Sequence, residues 1–65
     1  MKLIVNGEAL ETSEHTLLSL IHALEYEGEW LATAVNGELV HAEDRQEHVL
    51  RDGDRIEILS PMQGG

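Results

Sequence analysis

The chain has 65 residues, no cysteine, and thirteen acidic against four basic side chains, a formal charge of −9. That length holds one hydrophobic core and no second domain, and the missing cysteine excludes a disulfide framework, a thiolate metal site and a thiol nucleophile. The acidic surface repels phosphate backbones and anionic lipid, which argues against nucleic-acid and membrane partners and favours a basic protein partner. No apolar run reaches the roughly 18 residues of a spanning helix, and Met1 to Val5 is too short for a signal peptide. The expectation is a cytoplasmic protein, monomeric when free.

Lys2-Leu3-Ile4-Val5 is apolar and rich in branched side chains, which favours a strand. Asn6-Gly7 follows, and Asn-Gly between such runs signals a hairpin, because both central residues of a type I′ turn need φ > 0. Glu8 to Thr12 is the returning strand, with Leu10 pointing inward. Leu17, Leu20, Ile21 and Leu24 then fall at i, i+3, i+4 and i+7, one apolar stripe of a helix. Thr16 is the expected N-cap, with Ser13 as fallback. Gly28 is placed to end the helix in a left-handed cap after a frayed turn through Tyr26-Glu27.

Ala32 to Val35 reads as a strand, followed by a second Asn-Gly at Asn36-Gly37 and a short return through Glu38-Leu39-Val40. His41 to Leu50 is polar, with room for one helical turn around Glu43–Gln46, and Val49-Leu50 are expected to tuck against the core. Asp52-Gly53-Asp54 is a tight turn. Arg55-Ile56-Glu57-Ile58-Leu59 is the last strand, with Ile56 and Ile58 toward the helix. The order predicts an α+β chain: a single mixed sheet of four to five strands with one main helix packed on one face.

Few residues offer chemistry. His15, His22, His41 and His48 lack the i, i+4 spacing of a helical metal pair, and solvated surface positions account for them. Asp52 and Asp54 lack the other ligands of a calcium loop and serve as turn residues. Ser13, Ser19 and Ser60 have no triad context. Trp30 and Tyr26 are expected to pack at the helix end against the sheet. With no phosphate-cradling glycine loop, the chain reads as a substrate or carrier and not as an independent enzyme, with no bound cofactor and no metal.

The tail stands apart. Residues 1–60 form the expected domain and residues 61–65 a flexible tail. Pro61 lacks an amide donor, and Gly64-Gly65 would lose the most entropy on ordering. Fraying is the ordinary account of such an end, yet a chance Gly-Gly ending occurs only about once in 200 chains. A chain end without side chains can thread a narrow channel and present its α-carboxylate, which must be activated as a mixed anhydride by another protein.

Taken together, the Asn6-Gly7 turn, the Thr16-Leu17-Leu18 helix start, Ala34-Val35-Asn36-Gly37, Asp52-Gly53-Asp54 before an apolar strand, and terminal Gly64-Gly65 resemble the ThiS-type sulfur carriers of thiamine biosynthesis. The resemblance covers essentially the whole chain and implies a ubiquitin-like β-grasp fold, with the last strand inserted parallel to the first at the sheet centre. It further implies that an E1-like adenylating enzyme (ThiF-type) uses ATP and Mg²⁺ to adenylate the Gly65 carboxylate. Sulfur from a donor such as a cysteine desulfurase then makes a thiocarboxylate, which a thiazole synthase (ThiG-type) consumes. Gly65 is then the sulfur carrier and Gly64 the slender residue that threads with it. If Leu3, Val5, Ile56 and Ile58 face the helix, Ile4 and Leu59 face away, and with Met62 they are the candidates for partner docking. The molybdopterin-synthase small subunit shares the fold and the Gly-Gly end. A ubiquitin-like modifier and a plain β-grasp interaction module are the remaining alternatives.

Overall fold

Both Asn-Gly pairs turn the chain as their chemistry requires. In the computed structural model, which describes residues 1–26 and 30–60, Asn6 and Gly7 sit at φ 50° and 85°, and Asn36 and Gly37 at 53° and 84°. The first turn joins β1 (Lys2–Val5) to β2 (Glu8–Glu11), and the second joins β3 (Ala32–Val35) to β4 (Glu38–Val40). A last strand, β5 (Arg55–Leu59), enters between the two hairpins, giving the order β2-β1-β5-β3-β4. It runs parallel to β1, with Val5 opposite Ile56, and antiparallel to β3, with Ala32 opposite Leu59.

The helix α1 (Leu17–Ala23) covers one face of this sheet. Leu17, Leu20 and Ile21 join Leu3, Leu31, Val35, Val40, Leu50, Ile56 and Ile58 in the buried core, with Val5, Leu10 and Tyr26 packed at its margin. Ile56 and Ile58 are buried while Arg55, Glu57 and Leu59 alternate outward, so the clean two-residue period of β5 is a direct record of one wet and one dry face. Truncating Leu17 or Leu20 to Ala would cost about 2–5 kcal/mol, since both are wholly enclosed.

Thr16 caps the helix with a reciprocal box: its hydroxyl accepts from the Ser19 amide at 3.2 Å, and the Ser19 hydroxyl accepts from the Thr16 amide at 3.3 Å. The next orphan amides find partners far along the chain. Leu17 N–H donates to the His48 carbonyl and Leu18 N–H to the Arg45 carbonyl, at 3.0 and 3.1 Å. The polar segment 41–50 is therefore the second cap of α1. Its 3₁₀ turn falls at Ala42–Asp44, slightly ahead of the turn expected around Glu43–Gln46.

Three expectations need correction. The helix ends at Ala23, and the left-handed residue is Glu25 at φ 66°, not a glycine. Glu25 N–H donates to the His22 carbonyl and Tyr26 N–H to the Ile21 carbonyl, a Schellman closure one turn earlier than the spacing of Gly28 suggested. Gly28 itself lies outside the described residues. Of Val49-Leu50, only Leu50 is buried; Val49 bridges Thr16 through its backbone, which turns its side chain outward. Tyr26 packs on the core as expected, but Trp30 is exposed.

A glutamate held left-handed costs roughly 1 kcal/mol relative to glycine. Glu25→Gly is expected to raise stability by about 0.5–1 kcal/mol in urea denaturation, a gain of several degrees in Tm for a domain of this size.

Candidate functional site

The end of β5 is where the chain leaves the sheet, and two asparagine side chains hold that strand in place. Asn6 Oδ1 accepts from the Ile58 amide at 2.9 Å, while its Nδ2 donates to the Ile58 carbonyl at 3.2 Å. The amide group thus stands in for one more residue of β1 and lengthens the parallel pairing beyond the turn. Nδ2 also reaches the Tyr26 hydroxyl at 3.3 Å, tying the turn to the helix end. At the other end of β5, Asn36 Oδ1 accepts from the Arg55 amide at 3.0 Å and its Nδ2 donates to Asp54 at 2.9 Å.

The turn before β5 is equally tied. Asp52 accepts from the Lys2 amide at 2.6 Å, Gly53 N–H donates to the Lys2 carbonyl at 2.7 Å, and Asp54 accepts from the Arg51 amide at 2.9 Å. Gly53 takes φ 89°, which explains a glycine between two aspartates. Each aspartate accepts from one backbone amide, as turn residues do, and Asp54 gives its other oxygen to the Asn36 side chain.

On the side of β5 and β3 away from the helix, the sheet is uncovered among the described residues. Ile4 and Leu59 both lie on this side, as alternation predicts, but unequally: Ile4 is 38% exposed and Leu59 66%. Ala32 and Ala34 pair with Leu59 and Glu57, and Leu39 of β4 pairs with Ala34. These residues line a shallow depression of about 130 Å³ beside the end of β5. Met62, Gly64 and Gly65, the remaining candidates, lie outside the described residues, as does the whole expected tail 61–65.

One supporting residue gave no sequence signal. Arg45 is buried, donating from Nε to the Thr33 hydroxyl at 2.9 Å and from Nη2 to the Leu31 carbonyl at 2.7 Å. The Thr33 hydroxyl in turn donates to the Val40 carbonyl at 2.7 Å. Nothing in a polar loop distinguishes an arginine that folds inward, and the structure uses it to hold the start of β3 against the loop that caps α1. Leu39 was legible in principle, because its pairing with Ala34 across the second hairpin puts it on the open face.

Among the described residues no cluster of His, Asp or Glu could hold a metal ion. No helix described is long and apolar enough to cross a membrane. The histidines do not converge: His15, His22 and His41 are exposed and His48 is half-buried.

Five strands in this order, a parallel central pair and one helix on one face define a β-grasp protein. The sequence matches the model of the ThiS family over residues 3–65, and the chain belongs to that family. Two solved structures from Geobacter metallireducens share the fold. A crystal structure of the thiamine biosynthesis protein ThiS superposes with a TM-score of 0.84 at 30% identity, covering all of both chains. A solution structure of a thiamine biosynthesis protein gives 0.82 at 32% identity, covering all of this chain and 88% of that one. No curated protein matches.

Arg45→Met is expected to lower stability by about 2–3 kcal/mol in chemical denaturation, because the Leu31 carbonyl and the Thr33 hydroxyl lose a charged donor inside the core.

Proposed function

We propose that this protein is a sulfur carrier of thiamine biosynthesis and works through the carboxylate of Gly65. The observation that carries the reading is the family match, which runs through Gly64 to Gly65. The scarcity of competing chemistry supports it: the chain has no cysteine, and the described residues hold no metal cluster.

A carboxylate at neutral pH resists nucleophiles, so the cycle begins with activation by a partner. An E1-like adenylating enzyme joins the Gly65 carboxylate to the α-phosphorus of ATP, with Mg²⁺ on the phosphates, and pyrophosphate leaves. The terminal sulfur of a persulfide formed by a cysteine desulfurase displaces AMP to give an acyl disulfide. A partner thiolate then attacks the inner, protein-side sulfur, leaving a thiocarboxylate on Gly65 and a disulfide on the partner. A thiazole synthase takes that sulfur into the thiazole ring. The carrier performs none of these steps as an enzyme: it contributes an activatable terminus and a body to be recognised. Gly64 keeps the terminus slim enough for a narrow channel. Ile4, Leu59 and Met62 supply apolar contact for the partners. The cycle is placed in the cytoplasm, where ATP is available.

Two measurements test this reading. Intact-mass analysis of the protein from its own cells is expected to show an oxygen-to-sulfur gain confined to the C-terminal peptide, and deletion of Gly64-Gly65 is expected to abolish loading. Full activity after that deletion sinks the proposal, and Gly-Gly remnants on lysines of other proteins would instead make the chain a modifier. Leu59→Asp is expected to lower kcat/KM for loading about tenfold or more while stability stays within about 0.5 kcal/mol, since the side chain is exposed.

A further inference from the structure

Exposed apolar side chains are not spread evenly over the sheet. On β1, Ile4 is less exposed, at 38%, and has Arg55 and Ala9 as its cross-strand neighbours. Toward the other edge, Leu39 is 64% exposed, Leu59 66%, and Trp30 72%. Trp30 precedes Ala32 by two residues, and Ala32 pairs with Leu59 in an antiparallel ladder. Trp30 therefore stands at the end of the sheet toward which β5 runs, where the chain departs for the tail. Trp30 lies in a turn two residues ahead of β3 and is exposed, as Ala32 is, with Leu31 buried between them.

An exposed tryptophan carries a large apolar area into water with no return in folding energy. This one is also mounted on held backbone, because the carbonyl of its neighbour Leu31 is gripped by Arg45 Nη2. A large aromatic side chain on backbone already ordered loses little entropy on binding, the usual condition for a residue that dominates an interface. The surface beside it adds a mixed signal. The depression lined by Ala32, Ala34, Leu39 and Leu59 is also lined by Glu57, on a protein of charge −9. A surface of that kind repels a second copy of itself and fits an apolar patch edged by lysine or arginine.

We infer that Trp30 is the aromatic anchor of a docking surface on the β5–β3–β4 half of the sheet, seated in an apolar pocket with a basic rim on the adenylating partner. This rests on the function proposed above and extends the footprint from Ile4 and Leu59 across the strands beside the departing tail. Trp30 would hold the body while the terminus enters the adenylation site.

Trp30 is the only tryptophan of the chain, so 5-fluorotryptophan labels this position alone. Titration of the labelled carrier with the unlabelled adenylating enzyme is expected to shift and broaden the single ¹⁹F resonance. In steady-state adenylation, Trp30→Ala is expected to raise KM for the carrier on the order of 30-fold with kcat within about twofold, and with an unchanged Tm. Glu57→Lys is expected to raise KM as well, by setting a cation against the basic rim. His22→Ala, on the exposed outer side of α1, is the control and should behave as wild type. Wild-type KM in a folded Trp30→Ala variant, or an unmoved ¹⁹F signal at saturating enzyme, overturns the anchor and leaves the carrier reading standing. Wild-type KM in Glu57→Lys overturns the basic rim. If the wild-type carrier itself is not adenylated, the function reading falls and the inference falls with it.

Discussion

The fold depends on holding β5 between two hairpins that are not adjacent in sequence. Backbone pairing alone would leave its β1 side short of partners, since the parallel register to β1 spans only Ile4–Arg55 and Val5–Ile56. The side chain of Asn6 completes one end by exchanging two hydrogen bonds with Ile58, and that of Asn36 secures the other at Arg55. Each net hydrogen bond contributes about 0.5–1.5 kcal/mol, so these contacts are a large fraction of the stability a chain this small can have. The same two residues supply the positive φ that the turns need. Asparagine is the one common side chain that tolerates that conformation and carries both a donor and an acceptor.

A second constraint joins the helix to the far side of the sheet. The segment 41–50 has little apolar content, yet its carbonyls cap the first turn of α1, its Arg45 grips β3, and Leu50 closes the core. The buried guanidinium is held by neutral oxygens of Leu31 and Thr33. That arrangement avoids leaving a backbone carbonyl without a partner, which would cost more than the bond itself contributes.

What could be read from the sequence follows from how local each cause is. The two Asn-Gly turns, the Thr16 cap and the outward–inward period of β5 are short-range effects, and each stands where the residues put it. The parallel placing of β5 beside β1 was reached only through the family resemblance, because periodicity does not choose neighbours. The helix end was misjudged because Glu25 takes a conformation that glycine would take more cheaply, and Gly28 looked the better stop. Trp30 was expected to pack at the helix end against the sheet; it sits instead in a turn ahead of β3 with its side chain exposed, while its neighbour Leu31 takes the buried place, and that choice needs the whole sheet. Arg45 was invisible for the same reason. For the candidate site, alternation put Ile4 and Leu59 on the open face, where they are exposed, whereas the candidates at Met62, Gly64 and Gly65 lie outside the described residues and rest on sequence and family membership.

The position of β5 has a consequence for biosynthesis. The central strand is also the last of the five to be translated, so the core cannot close until the other four have been made. Until residues 55–59 emerge, the two hairpins have no common strand, and β1 must wait for its second neighbour some fifty residues away, the kind of long-range closure that slows folding. A chain broken anywhere before Leu59 lacks the strand that unites the sheet and presents no finished surface to a partner. In this topology the folded body acts as a certificate that synthesis has reached the threshold of the tail.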